Sequence, residues 1–189
     1  PDYVLIHINL SMVYSAQKEP KKAIDILLEG VRRNLGHFKL YNNLGVLYNF
    51  LGKYEEAATY LKKGALLEPY NAVVHFNLAL AYDRLGRLED AVAHYRRSIA
   101  LDNTSPESYF NLGLALHRQN RPREALQAFD TASRLNPGHA GILFNAALIS
   151  LDLGETAAAG SYLERLQRVD PARAQILQSR MGRTQSGDH

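Results

Sequence analysis

Cysteine and tryptophan are missing from the 189 residues, and methionine occurs only twice. Without cysteine the chain can form neither a disulfide nor a thiolate metal site, and its redox compartment leaves no mark. Long apolar runs are missing as well. A membrane-spanning helix needs roughly 18 such residues, whereas the richest stretch, 140–153, is interrupted by Asn145 and Ser150. Charge of one sign is not concentrated: the net value is +3, and the lysines and arginines are scattered along the chain. A nucleic-acid binder gathers its cations into a stripe with interleaved aromatics. Neither a nucleic acid nor an integral place in a membrane is therefore expected, and a cytoplasmic location is.

Catalytic signatures are missing too. No glycine-rich phosphate loop, nucleophile elbow or His-Glu-x-x-His pattern occurs. No two of the seven histidines stand three or four apart, which removes the usual helical metal pair. No cofactor, metal or catalytic residue is expected, and the chain is not expected to be an enzyme.

What is present is repetition, the feature to seek before any element is assigned. Alanines recur at Ala23, Ala57, Ala91, Ala125 and Ala159, and asparagines at Asn9, Asn43, Asn77, Asn111 and Asn145, each 34 residues after the last. Two residue types hold one register through five cycles with no insertion. Each cycle carries two helical patterns. Leu40, Leu44, Leu47 and Leu51 mark one helical face by their three- and four-residue steps. Gly52, Gly86 and Gly154 break the pattern in one phase, which Lys18 and Asn120 occupy in the other cycles. A second helical run starts at Tyr54 and stops near Pro69; Pro137 and Pro171 are expected to end their cycles likewise, since proline cannot continue a helix. Pro20 and Pro122 fall instead in the first turn of a second helix, where the missing amide has no intrahelical partner anyway.

Packing accounts for the small residues. Two helices in a tight hairpin approach closely where side chains are small, and facing the alanine column are expected Ser11, Gly45, Ala79, Gly113 and Ala147. Larger anchors surround that contact: Leu10, Leu44, Leu78 and Leu112, then Tyr14, Tyr48 and Tyr82, then Leu27, Leu61, Tyr95 and Phe129. One such hairpin cannot bury its apolar faces, so stacked neighbours must supply the core.

The succession Tyr41, Leu44, Gly45, Tyr48, Ala57, Leu61, Gly64, Pro69 resembles the tetratricopeptide repeat, and the likeness covers roughly 4–173. Departures gather at the ends, with His7, Ser11, Gly30 and Leu35 in the first cycle and Ala146, Ser150 and Leu166 in the fifth. The resemblance implies an all-α fold: a right-handed α-solenoid of five 34-residue helix-turn-helix repeats at 4–37, 38–71, 72–105, 106–139 and 140–173. Leu166 stands where earlier cycles have a small residue, so a short capping helix is expected at 174–181 in place of a sixth repeat, with a disordered tail at 182–189. Pro1 shares the phase of Pro69, which assigns 1–3 to the end of a preceding repeat.

In such a solenoid the first helices line the concave face. The resemblance thus places Asn9, Asn43, Asn77, Asn111 and Asn145 in the groove, beside Phe76, Phe110 and Phe144 one residue before and Leu80, Leu114 and Leu148 three after. Arg84 and Arg118 stand further round. An asparagine amide matches a peptide unit in donors and acceptor, and an apolar strip adds affinity by burial. The family's carboxylate clamp is not expected, because Glu107 stands where it requires a cation. His7 and His75 fall in the anchor column of Tyr41, where packed rings are expected.

The expected function is that of a protein–protein interaction scaffold or adaptor, of bacterial cast from its Ala- and Arg-rich last repeats, binding a partner peptide or helix in the groove. Two other readings compete. One is the substrate-recruiting arm of a larger enzyme, as in O-linked N-acetylglucosamine transferases. The other is a self-assembling coat, as in a magnetosome-associated repeat protein. Self-association is also expected through apolar residues of the first helix such as Ile6 and Val13.

Overall fold

A computed structural model describes residues 3–33 and 36–185, and among them every regular element is an α-helix. A first compact unit lies within 1–103 and holds α1 (Tyr3–Ala16), α2 (Pro20–Arg32), α3 (Phe38–Phe50), α4 (Tyr54–Leu67), α5 (Ala72–Arg84) and α6 (Leu88–Leu101). A second lies within 104–189 and holds α7 (Pro106–Arg118), α8 (Pro122–Leu135), α9 (Ala140–Asp152), α10 (Thr156–Val169) and α11 (Pro171–Gln185). Pro1 and Asp2, assigned above to a preceding repeat, lie outside the described residues, as does Leu35; Tyr3 opens α1.

The turn inside each hairpin follows from one backbone requirement. Gly52, Gly86 and Gly154 have φ of 73°, 74° and 76°, and Lys18 and Asn120 take up the same conformation at 60° and 58°. All five are the residues that share one phase in the sequence. The next amide then bonds back five residues, as in Lys53 N to Tyr48 O at 2.9 Å and Arg87 N to Tyr82 O at 2.9 Å, which satisfies carbonyls the helix end leaves open. Three-residue turns of this sort make the two helices antiparallel neighbours.

First-helix starts are fixed by side-chain caps. Asn71 Oδ1 accepts from Val74 N at 3.2 Å, Ser105 Oγ from Ser108 N at 3.2 Å, and His139 Nδ1 from Ile142 N at 3.1 Å. α10 stops at Val169, two residues before Pro171, as α4 and α8 stop two residues before Pro69 and Pro137. Pro171 also opens α11, with Asp170 Oδ1 capping Arg173 N at 3.0 Å, because the first helical residue needs no amide. The last helix accordingly starts before 174 and runs on through Gln185, past the 181 expected; residues 186–189 lie outside the described set.

Ala23, Ala57, Ala91, Ala125 and Ala159 are all fully buried, as are Leu27, Leu61, Tyr95 and Phe129. At Gly45 and Gly113 the nearest neighbour is not the alanine of that column but the large residue four places after it. A Cβ placed on Gly45 would fall 2.2 Å from Leu61 Cγ, and one on Gly113 would fall 2.7 Å from Phe129 Cε1. The missing side chain makes room for a large one on the second helix. In the first unit α2 also packs on α3 and α4 on α5; in the second, α8 packs on α9 and α11 on both α9 and α10. Leu10 differs from its counterparts: it is exposed, whereas Leu44, Leu78 and Leu112 are buried.

Candidate partner-binding face

Charge is divided unequally between the two helices of each hairpin. Lysine, arginine, aspartate and glutamate are absent from α1; α3 has only Lys39, α5 only Asp83 and Arg84, α7 only Glu107 and Arg118, and α9 only Asp152. The second helices carry three to five charged residues each: α2 has Lys21, Lys22, Asp25, Glu29 and Arg32, and α10 has Glu164, Arg165 and Arg168. First helices therefore present a sparsely charged, amide-bearing surface, whose exposed charges are Lys39, Arg84, Glu107, Arg118 and Asp152.

In the first unit Asn9 is exposed and Asn43 is partly so. Asn43 Nδ2 donates to Lys39 O of its own helix at 2.8 Å. Asn77 behaves otherwise. Its Nδ2 donates to Asn42 Oδ1 at 2.9 Å, and its backbone carbonyl accepts from Asn49 Nδ2 at 3.1 Å, which ties α5 to α3. Phe76 is half-buried with its ring 5.9 Å from that of Tyr95, and Leu80 is half-buried as well. Arg84 is exposed.

In the second unit Asn111 Nδ2 donates to Glu107 O at 2.8 Å and Asn145 Nδ2 to Gly141 O at 2.7 Å. Each of these amides spends one N–H on its own helix. That bond fixes the rotamer and leaves the other N–H and the Oδ1 acceptor for a partner. Phe110 packs between Phe129 and His139, with centroids 5.8 and 5.4 Å away. Its ring is shared with the hairpin core and only partly open. Phe144, Leu114 and Leu148 are half-buried, and Arg118 is exposed.

Two features were not anticipated from the sequence. Phe50, the last residue of α3, is 82% exposed, while its counterparts one, two and three periods on are Arg84, Arg118 and Asp152. An aromatic in a phase otherwise held by Ala16 and three charged residues was the available signal. The other is a histidine pair. His75 is buried as expected, but its Nδ1 lies 3.0 Å from Nδ1 of His94, nineteen residues on in α6. His75 Nε2 lies 3.1 Å from Pro69 O, which can only accept, so Nε2 carries the proton and Nδ1 accepts from His94 Nδ1–H. The rings are 5.2 Å apart at their centroids and lie within 20° of one plane, so they meet edge to edge with their lone-pair directions opposed. That geometry shares a proton; it does not chelate an ion. No group of three or more metal-ligating side chains exists among the described residues.

Burial holds His94 below the ordinary histidine range, helped by His75 and Lys62 and opposed by Asp90. The folded state thus favours neutral His94. Its contribution is complete above about pH 6.5, the unfolded value, and is lost as pH falls below that. The urea midpoint is expected to drop between pH 7.5 and pH 5, and to drop less in His94→Gln. An unchanged slope in that variant would assign the pH dependence elsewhere.

Family profiles match along the chain: one described as TPR repeat over 84–120, and two described as tetratricopeptide repeat over 38–71 and 110–174. No curated protein matches the sequence. Solved structures do resemble it. MamA (residues 41-end) from Desulfovibrio magneticus RS-1 superposes with a TM-score of 0.82 at 17% identity, covering 91% of this chain and 97% of that one. YrrB, described as a TPR protein with an unusual peptide-binding site, gives 0.78 at 20% identity, covering 92% and 90%. PilF of Pseudomonas aeruginosa gives 0.79 at 22% identity, covering 92% and 80%. The fold is an all-helical solenoid of helix-turn-helix repeats, and the chain belongs to the tetratricopeptide repeat family. Among the described residues no helix is long and apolar enough to cross a membrane.

Proposed function

We propose that this chain is a protein-interaction scaffold whose first-helix faces receive a peptide or helix of a partner protein. The observation that carries the reading is the uneven division of charge, with the oriented amides of Asn43, Asn111 and Asn145 standing on helices that carry only one or two charged residues each. An oriented amide costs less entropy to engage than a free one, and a sparsely charged face favours binding that depends little on salt.

The three amides tied to their own helix are separable from Asn77, which joins two helices. Asn111→Ala and Asn145→Ala are each expected to weaken binding of a partner isolated from the native host by about 1–3 kcal/mol. Stability should change little. Asn77→Ala is expected to lower the unfolding midpoint, and Arg168→Ala on α10 to change neither. Isotherms and melting curves for the four variants decide it. Unaltered binding in the first two, with binding abolished by Arg168→Ala, would move the partner to the second-helix side. Assembly of copies through α1 is a second reading, favoured by Ile6, Met12 and Val13 at 56%, 60% and 50% exposure.

A further inference from the structure

A hollow of about 560 Å³ opens in the first unit where the α1–α2 turn meets the end of α3. It is lined by Ser15, Lys18, Pro20, Val46, Leu47 and Phe50. Three of its properties are independent. The first is Phe50: an aromatic left 82% exposed in water is unfavourable, and the repeat phase it occupies is filled by Ala16 one period before and by Arg84, Arg118 and Asp152 after. Val46, four residues before it and so on the same face of α3, is 40% exposed. The second is polarity. The walls are apolar apart from one hydroxyl and one ammonium, and Ser15 Oγ already donates to Ser11 O at 2.9 Å.

The third is Lys18. It occupies the left-handed turn position, φ 60°, that Gly52, Gly86 and Gly154 fill without a Cβ penalty. A side chain there is retained against backbone preference, and such outliers gather where a side chain is needed. The adjacent carboxylate does not answer its charge, because Glu19 pairs with Lys22 at 2.6 Å. No ion pair involves Lys18 among the described residues. A lysine stem can line an apolar wall while its ammonium stands at the rim.

We propose that this hollow is a docking site for a short partner segment in which one or two bulky apolar side chains are followed directly by a carboxylate. The apolar side chains fill the space against Val46, Leu47 and Phe50, and the carboxylate meets Lys18. The volume falls in the range of sites that enclose small ligands, which suits two side chains and not a whole helix. The site deepens the scaffold reading and rests on it, but it is tested without the native partner.

The probe is a labelled, end-capped hexapeptide with a Leu-Phe-Asp-Glu core. Its two comparators replace Asp-Glu by Lys-Lys, or Leu-Phe by Ser-Ser. Amide shifts of the ¹⁵N-labelled full chain and fluorescence anisotropy report location and affinity. Saturable binding of the acidic apolar peptide is expected, with shifts confined to 15–19 and 46–51 and binding at least fivefold weaker for either comparator. Phe50→Arg, which installs the residue type of later repeats, should weaken binding at least tenfold at an unchanged melting temperature. Lys18→Gly should weaken it at least fivefold while raising the melting temperature, since the turn is relieved. A raised melting temperature with unchanged affinity would make Lys18 incidental and overturn the proposal. So would equal binding of the Lys-Lys peptide, or no saturable shift with any peptide. Sedimentation showing a dimer that Phe50→Arg dissociates would assign the hollow to a second copy and overturn it as well. Binding of the native partner that depends on Asn111 and Asn145 but not on Phe50 would sink this site and leave the scaffold reading standing.

Discussion

Phe129→Ala is expected to destabilise the second unit by about 3–5 kcal/mol, a loss typical of emptying an aromatic site in a packed core. Domains are stable by only about 5–15 kcal/mol in total, so the variant should melt many degrees lower. The ring is fully buried between α7 and α8, and Gly113, which faces it on α7, has no side chain to take its place. The converse changes test the same contact from the other helix. Gly113→Ala sets a methyl 2.7 Å from the ring edge, and Gly45→Ala sets one 2.2 Å from Leu61 Cγ, a branch atom close to its backbone. Overpacking of this kind costs about 1–3 kcal/mol, and Gly45→Ala should be the worse because Leu61 has less room to swing. Gly64→Ala provides the contrast. Its new methyl would lie 3.4 Å from Val74 Cγ1, an ordinary contact. The change should therefore gain up to about 1 kcal/mol from helix propensity. Urea midpoints across the four variants check the order, and equal losses at Gly45 and Gly64 would refute the packing argument.

The same glycines show where a sequence can be read and where it cannot. The turn phase was legible because left-handed backbone restricts the residue type locally: three glycines and one asparagine announce it, and the period carries the assignment to Lys18. That a small residue was needed at Gly45 and Gly113 was legible too. Which large residue it accommodates was not, because Leu61 and Phe129 approach through the crossing of two helices, which no local pattern encodes. The asparagine column was visible as a column. The difference between Asn77, which bonds Asn42 across two helices, and Asn111, which bonds its own helix, depends on a neighbour 35 residues away in one case and four in the other. The His75–His94 contact was hidden for the same reason. That Pro171 opens a helix as well as following one was not legible, because proline serves either role equally well, and only Asp170 as its cap marks the second.

Leu177→Asp should release α11 from the second unit. Among the described residues Ala174 and Leu177 are its buried side chains, at 1% and 0% exposure, and the helix packs on α9 and α10. An ionised carboxylate cannot stay in that apolar site without a partner. The cheaper response is for the helix to leave, so the loss cannot exceed the free energy with which α11 is docked. Leu177→Ala keeps the helix neutral, and its cost of about 2–5 kcal/mol is that of an emptied leucine site. Once free, a helix of 15 residues is marginal in water, so α11 should unfold as well as detach. The face of α10 on which α11 packs then loses its cover. Three readouts should move together in Leu177→Asp: ellipticity at 222 nm falls by the share of one helix, amides of 174–181 lose exchange protection, and concentration-dependent association appears as the uncovered face seeks contact. The ion pair of Arg180 with Asp152, 2.9 Å between exposed groups, is too weak to hold the helix alone. Protection of 174–181 that survives Leu177→Asp would mean that something other than these two side chains fastens the last helix.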